Sequence, residues 1–233
     1  MSKCLKTGMF YVLTMLLLLL FMSFYNRGVT TFTENIKPAY RFNIVIDPGH
    51  GGEDGGAVSC TGVPESVYNL AISRRLQDLM NLLGYKTVMI RDSDISVYTK
   101  GETLAQKKAS DLTQRVKIVN DTAGAVLLSI HQNYFDDSQY SGAQVFYAKT
   151  EGSQQLASEL QKEIVSKLNK GSRRQAKMIS GIYLMEHINC PGVLVECGFL
   201  SNQQEEALLR NSEYQKKISA VIAASLSQWL SNT

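Results

Sequence analysis

The feature that most constrains the fold of this chain is an alternation of short apolar segments with longer segments of helical periodicity. Five short segments, most of them apolar, are typical of strands: residues 43–46, 86–91, 125–130, 143–148 and 192–195. Helices are predicted between and after them, at residues 65–83, 104–121, 154–168, 203–210 and 214–230. This alternation predicts a single α/β domain with a mostly parallel central sheet and helices on both faces.

The first 27 residues differ from the rest of the 233-residue chain. Residues 7–25 carry no charge over 19 positions, a length that can span a bilayer as a helix, and Lys3 and Lys6 before them favour a cytoplasmic N-terminus. No small-residue cleavage pattern follows, so a signal anchor is preferred to a cleaved signal peptide. Both interpretations export the remainder, which divides into a polar tether at residues 28–42 and a catalytic domain at residues 43–233.

Charge and cysteine content argue against two features, binding of nucleic acid and a fold held by disulfides. Beyond the three basic residues of segment 1–27, the chain has 21 basic and 21 acidic residues. A nucleic-acid-binding domain would carry a basic surplus, so nucleic acid is not expected as a partner. The exported cysteines Cys60, Cys190 and Cys197 are expected to be free thiols, because Cys190 and Cys197 would lie about 20 Å apart along one strand.

Four residues with metal-binding or acid–base side chains lie where predicted strands end or a predicted helix begins: His50, Glu65, His131 and Glu196. Because ligands of open α/β sheets bind at the carboxyl ends of the strands, all four are expected to face one rim of the sheet. Two imidazoles and one carboxylate are a ligand set of catalytic zinc, which leaves a fourth position for water. The remaining carboxylate, Glu196, can accept the proton of that water.

Polar residues near these four are expected to support them. Asp47 and Asp54 are expected to hold the loop around His50 or to orient a ligand. Cys60 is not expected to bind metal, because a catalytic zinc keeps its fourth position open. The glycines of residues 49–56 let this loop bend sharply and bring a substrate close. His187 lies in an irregular stretch and is expected to be structural or exposed.

Several segments resemble the zinc-dependent N-acetylmuramoyl-L-alanine amidases of the amidase-3 family. They are IVIDPGHGGEDGGA, the helix that Glu65 opens, LLSIHQN and PGVLVECGFLSN, and the resemblance extends over about residues 43–230. It implies that the substrate is peptidoglycan. The bond cleaved would be the amide between the lactyl group of N-acetylmuramic acid and L-alanine of the stem peptide.

The resemblance also implies roles for individual residues. The zinc ligands that it implies are His50, Glu65 and His131. It implies Glu196 as the catalytic glutamate and Asn133 as a hydrogen-bonding partner of the substrate. Gln132 stands where the family usually has a small residue, and it is expected to alter the rim of the site.

Within the family, the chain resembles the germination-specific spore cortex amidases. The resemblance rests on the anchor, the single-domain layout and the stretch RRQAKMISGIYLMEHINCPGVLVECGFLSN. It implies removal of stem peptides so that muramic lactam can form, on the outer face of the cytoplasmic membrane or, in sporulation, in the forespore intermembrane space. No wall-binding module is apparent in the sequence, so a partner protein is expected to assist.

Two other functions remain open. A zinc peptidase or carboxypeptidase could use the same ligands, with Arg91 or Arg115 binding a terminal carboxylate. A non-catalytic, membrane-tethered wall-binding protein is the second alternative, but the intact set of four site residues argues against it.

One loop is basic and contains Lys170, Arg173, Arg174 and Lys177. It is expected to be solvated. Its alternative role is contact with peptidoglycan carboxylates or with a partner protein.

Overall fold

The structure is a computed structural model, and it describes residues 14–18, 20–21 and 42–233. Residues 14–18 and 20–21 are helical. In these described parts of the chain, no helix is both long and apolar enough to cross a bilayer. Most of the predicted signal anchor, and all of the predicted tether except Phe42, lie outside the described residues.

Residues 42–233 form an α/β fold. The strands are β1 (Asn43–Pro48), β2 (Lys86–Met89), β3 (Ala125–Asn133), β4 (Gln144–Tyr147), β5 (Lys177–Met178) and β6 (Gly192–Phe199). The helices are α1 (Glu65–Leu82), α2 (Leu104–Asp121), α3 (Ser153–Lys167), α4 (Tyr183–His187), α5 (Gln203–Arg210) and α6 (Ser212–Ser231). Every predicted strand and helix is present, whereas β5 and α4 were not predicted.

The strands form one sheet in the order β2-β1-β3-β6-β4-β5. Strand β1 pairs in parallel with β2 and β3, and β3 pairs in parallel with β6. Strand β4 is antiparallel to β6 and parallel to β5. The predicted mostly parallel sheet is therefore confirmed, and its parallel strands β1, β3 and β6 end at the same edge.

Helices cover both faces of the sheet, as predicted. On one face, Val45 and Leu127 pack with Val119 of α2 and Leu184 of α4. Alternate residues of a strand point to the opposite face, and there α1 and α3 both contact α6. Strands β1, β3 and β6 are buried between these two layers over most of their length, whereas β2 and β5 at the edges of the sheet are more exposed.

Two site residues lie inside strands rather than after them. His131 and Glu196 were predicted to follow strands that end at residues 130 and 195, but β3 continues to Asn133 and β6 to Phe199. The two strands keep pairing past the apolar run, and after a register shift Asn133 pairs with Phe199. The apolar runs therefore underestimate the length of both strands.

Candidate active site

Three of the four predicted site residues converge at the carboxyl ends of β1 and β3. His50, Glu65 and His131 present ligand-type nitrogen and oxygen atoms that all lie within 4.8 Å of one another. Glu65 Oε2 is 3.2 Å from His50 Nε2, and Glu65 Oε1 is 2.9 Å from His131 Nδ1. These three residues are called the His–Glu–His cluster below.

His50 follows β1 in an unusual backbone conformation. Its φ is +60°, in the left-handed region that residues with a Cβ rarely adopt, and holding a residue there costs on the order of 1–3 kcal/mol. Two buried arginines hold the loop in place. Arg115 Nη2 donates to His50 O at 2.8 Å, and Arg91 Nη2 donates to Gly49 O at 2.9 Å.

Arg115 is itself held by carboxylates. Its Nη1 donates to Asp47 Oδ1, and its Nε donates to Asp111 Oδ2 at 2.6 Å. Ser129 Oγ also donates to Asp47, at 2.6 Å. Burial alone would raise the pKa of Asp47, but the charge of Arg115 and the other partners outweigh burial and lower that pKa. Asp47 therefore remains ionised and supports the His50 loop through Arg115.

Glu65 opens α1, as predicted, and its carboxylate is buried. The helix N-terminus favours negative charge there, and the backbone N–H groups of Ala57 and Gln132 donate to Oε2 at 3.2 Å and to Oε1 at 3.1 Å. Burial alone would raise the pKa of Glu65, but hydrogen bonds from His131 and His50 lower it far below its usual value. The carboxylate is therefore an anion directed at both imidazoles.

Asp54 orients the ring of His50. Asp54 Oδ2 is 3.0 Å from His50 Nδ1, and Lys108 Nζ is 3.1 Å from the same carboxylate oxygen. A carboxylate partner on one ring nitrogen fixes the tautomer and leaves the other nitrogen free to act as a ligand. In this site the nitrogen left facing Glu65 is His50 Nε2, so the geometry matches the orienting role predicted for Asp54.

Two glycines make room for the His–Glu–His cluster. A Cβ on Gly49 would lie 2.2 Å from the His131 ring. A Cβ on Gly56 would lie 2.6 Å from Glu65 Oε2 and 2.7 Å from His50 Cδ2. The glycine-rich loop was predicted to bring a substrate close, whereas these two glycines admit the side chains of the cluster itself.

Glu196 lies next to His131 in the sheet. The two residues are register partners on β3 and β6, and neighbouring strands are about 4.8 Å apart. Burial raises the pKa of Glu196 to about 7, with His131 opposing the shift. Its Oε2 is buried and accepts no hydrogen bond from any described residue. A carboxylate with these properties can accept and return a proton near neutral pH.

The donor set of the His–Glu–His cluster fits a metal ion. Two imidazoles and one carboxylate match the ligands of catalytic zinc sites. The cluster also attracts positive charge: burial alone would lower the pKa of His50, but Glu65 and Asp54 outweigh burial and raise it. Cys60 is exposed and is not part of the group of possible metal ligands.

Gln132 does not shape the rim of the site, contrary to expectation. Its side chain is 3% exposed, and its Nε2 donates to Asn69 Oδ1 at 3.1 Å. Sequence reasoning missed Asn69, although it lies four residues after Glu65 on the same face of α1, a spacing that allows contact. Asn133 is half-buried at the end of β3.

The two arginines considered for a carboxypeptidase are engaged inside the protein. Arg91 and Arg115 are 2% and 3% exposed. Arg91 donates to the carbonyl oxygens of Pro48, Gly49 and Ser66, besides that of Ser93. Since Arg115 is equally occupied by the His50 loop and two carboxylates, neither guanidinium group is free for a terminal carboxylate.

The remaining candidates are not members of the His–Glu–His cluster. His187 is exposed at the end of α4 and stacks on Tyr183, with ring centroids 4.0 Å apart. In the basic loop, Arg174 Nη2 donates to Ser141 O at 2.9 Å. The other three basic residues of that loop are exposed: Lys170, Arg173 and Lys177. Cys60, Cys190 and Cys197 are free thiols, as predicted.

Comparison with known proteins identifies relatives along nearly the whole described chain. Residues 44–228 match the Amidase_3 family, described as N-acetylmuramoyl-L-alanine amidase. The germination-specific N-acetylmuramoyl-L-alanine amidase of Bacillus subtilis (strain 168) is 39% identical over 181 residues, which are 77% of this chain and 76% of that protein.

Two solved structures are similar in fold and sequence. The CwlD amidase from Clostridioides difficile, in complex with the GerS lipoprotein, has a TM-score of 0.79 at 36% identity and covers 82% of this chain and 100% of that one. An N-acetylmuramoyl-L-alanine amidase from Clostridium difficile 630 has a TM-score of 0.72 at 28% identity, with 82% and 98% covered.

Proposed function

The chain belongs to the Amidase_3 family of N-acetylmuramoyl-L-alanine amidases, and we propose that it hydrolyses its peptidoglycan substrate with a zinc ion. The bond would be the amide between the lactyl group of N-acetylmuramic acid and L-alanine. The observation that carries the proposal is the His–Glu–His cluster with Glu196 beside it. We assign zinc binding to the cluster, proton transfer to Glu196 and substrate hydrogen bonding to Asn133.

The proposed mechanism divides the work between the cluster and Glu196. Bound zinc would lower the pKa of water and polarise a carbonyl oxygen. Glu196 accepts the proton of the attacking water and then donates it to the leaving amine of L-alanine. A pKa raised to about 7 suits both steps, because the group must lose and regain a proton in each cycle. Asp54 holds His50 in the tautomer that keeps Nε2 available.

The two alternatives are less well supported. A carboxypeptidase would need a cation free to bind the terminal carboxylate, and Arg91 and Arg115 are both buried and engaged. A non-catalytic wall-binding protein would have no need of a carboxylate like Glu196, whose pKa is raised and whose Oε2 has no hydrogen-bond partner in the described part of the chain.

We further propose that the enzyme acts outside the cytoplasm during spore formation. The B. subtilis relative is named as germination-specific, which supports a role in the cortex that leads to muramic lactam. The uncharged segment 7–25 supports a signal anchor within residues 1–27, followed by a tether at 28–42 and the catalytic domain at 43–233. The enzyme would then face the forespore intermembrane space, on the outer face of the membrane.

We also propose that a protein partner assists the enzyme. The C. difficile relative was solved in complex with a lipoprotein, which supports a partner for this chain. The test compares the detergent-solubilised full chain alone on soluble muropeptides and on intact cortex sacculi. Full activity of the lone chain on sacculi would contradict the need for a partner.

The activity itself is tested by mass spectrometry of the products. The full chain in detergent with one equivalent of zinc is expected to release peptides that begin with L-alanine, and Glu196→Gln serves as the inactive control. Release of a single C-terminal amino acid would instead support the carboxypeptidase. Stoichiometric zinc with no product from muropeptides or sacculi would support either the wall-binding protein or the lack of an activating partner in the assay.

A further inference from the structure

One buried side chain connects the three segments that carry the His–Glu–His cluster. Asn69 is 0% exposed. Its Nδ2 donates to Glu65 Oε1 and to Gly49 O, each at 3.1 Å, and its Oδ1 accepts from Gln132 Nε2 at 3.1 Å. Gly49 and Gln132 are the chain neighbours of the two cluster histidines. Asn69 therefore contacts the cluster carboxylate and both histidine-bearing segments.

Gln132 sets the direction of the Asn69 amide. A carboxamide has two N–H donors on one side and a carbonyl oxygen on the other. Because Gln132 Nε2 donates to Asn69 Oδ1, both N–H groups of Asn69 point toward Gly49 O and the ionised carboxylate of Glu65. A small side chain at position 132 would leave Asn69 Oδ1 buried without this donor.

We propose that Asn69 is a positioning residue of the metal site, and that Gln132 acts on the site through Asn69. This inference rests on the proposed function, because it assumes that the His–Glu–His cluster binds zinc. Asn69 Nδ2 and the backbone N–H of Gln132 both hold Glu65 Oε1. They fix the plane of the carboxylate before a cation arrives, so less reorganisation accompanies binding. Gln132 is thus part of the support of the site rather than of its rim.

The test measures zinc affinity by competition with a chromogenic chelator, without substrate. Outer partners of metal ligands typically contribute 10–100-fold in metal affinity. Asn69→Ala is expected to weaken zinc binding by about that factor. Gln132→Ala is expected to weaken it less, because both Asn69 Nδ2 and the backbone N–H of residue 132 still reach Glu65 Oε1. Circular dichroism and urea unfolding in EDTA establish that each variant is folded.

A matched control separates positioning from general loss of packing. Gln161 is another buried glutamine, 2% exposed, whose Oε1 accepts from Gln144 Nε2 and from the Val145 backbone N–H in the β4 region. Gln161→Ala is expected to lower stability and leave the zinc dissociation constant unchanged. If Asn69→Ala and Gln161→Ala lose similar stability and bind zinc as tightly as the parent chain, the positioning role is wrong.

A double variant tests whether Gln132 acts through Asn69. In the Asn69→Ala background, Gln132→Ala is expected to have no further effect on zinc affinity. If the losses of zinc affinity in the two single variants multiply in the double variant, Gln132 and Asn69 act independently, and the proposal that Gln132 acts through Asn69 is wrong. If Asn69→Ala does not fold, Gln132→Met, which keeps the volume and removes the donor, takes its place, with the smaller weakening that is expected of Gln132→Ala. A parent chain that binds no zinc would overturn the proposed metal site together with this inference, whereas unchanged affinity in the variants overturns the inference alone.

Discussion

His131 and Glu196 are register partners on the neighbouring parallel strands β3 and β6. The sheet therefore fixes the distance between an imidazole of the cluster and the carboxylate that we propose as the base. His131 contacts Glu65 at 2.9 Å, whereas Glu196 Oε2 has no hydrogen-bond partner among the described residues. The different surroundings of the two carboxylates support different roles, with Glu65 in the metal site and Glu196 in proton transfer.

Replacing Glu196 by glutamine tests this division of roles. Glu196→Gln keeps the size of the side chain but removes the ability to accept a proton, so kcat is expected to fall by about 10²–10⁴-fold. Zinc content is expected to stay at the parent level, because Glu196 is not in the His–Glu–His cluster. Steady-state kinetics on a muropeptide and metal analysis of the same sample measure both. Glu213→Gln, at an exposed position of α6, is the control and should keep the activity of the parent chain. If Glu196→Gln turns over substrate as fast as the parent chain, Glu196 is not the base.

Removing a cluster imidazole is expected to have a different effect. His131→Ala takes away one of the three ligands that we propose, so both bound zinc and activity are expected to be lost. Metal content after dialysis against a weak chelator measures the first loss. His187→Ala, which removes an exposed histidine outside the cluster, should retain zinc and activity. Equal zinc content in the parent chain and His131→Ala would refute the assignment of His131.

The patterns in the sequence predicted every element of residues 42–233 except strand β5 and helix α4. The bounds of α2 and α5 match those predicted from the sequence, and α1, which was predicted from its apolar spacing, ends one residue before the predicted end. Strand β5 has two residues and α4 has five, too few to repeat any pattern. These short elements form through contacts distant in sequence, since β5 pairs with β4 and α4 contacts α2.

The residues of the candidate site could be predicted from the sequence, but their backbone conformations and mutual contacts could not. Its four main residues could be found because strand ends and motif resemblance both pointed to them. The left-handed backbone of His50 and the contact between Gln132 and Asn69 depend on packing between segments far apart in the chain. The burial of Arg91 likewise follows from tertiary structure, and a sequence alone does not distinguish an arginine that binds carbonyl groups from one that binds substrate.

The pair of Asp47 and Arg115 predicts how stability depends on pH in the metal-free protein. Although burial opposes the shift, the folded state lowers the pKa of Asp47 below its ordinary value, mainly through the charge of Arg115. When a carboxyl group has a lower pKa in the folded state than in the unfolded state, its ionised form stabilises the folded protein. That stabilisation is complete at pH values above the pKa of the unfolded state, and it is lost as the pH falls through the pKa of the folded state. At pH 7, Asp47→Asn is expected to lower the free energy of unfolding by roughly 3–5 kcal/mol, the usual cost of breaking a buried ion pair.

The difference between Asp47→Asn and the parent chain should shrink as the pH is lowered below about 4, because the parent chain then loses the same charge. Urea unfolding in EDTA between pH 7 and pH 3 measures the difference. Lys117 and Asp121 also form an ion pair, but both side chains are 63% exposed, so Asp121→Asn is the control and should change stability little. A difference for Asp47→Asn that is constant with pH would show that folding does not lower the pKa of Asp47.

Position 56 is expected to require glycine for two reasons. Its backbone has a positive φ, and the side chains of the His–Glu–His cluster occupy the space that a Cβ would fill. Gly56 and Gly62 both have positive φ, +72° and +86°, so alanine at either position is expected to cost about 1–2 kcal/mol of backbone strain. The added Cβ would meet Glu65 Oε2 and His50 Cδ2 at position 56 but nothing within 4 Å at position 62. Gly56→Ala must therefore displace cluster side chains, and we expect it to weaken zinc binding at least tenfold.

Gly62→Ala should lose comparable stability with unchanged zinc affinity, as measured by chelator competition and urea unfolding. If the two variants bind zinc equally well, close packing of Gly56 against the cluster is not what maintains the metal site.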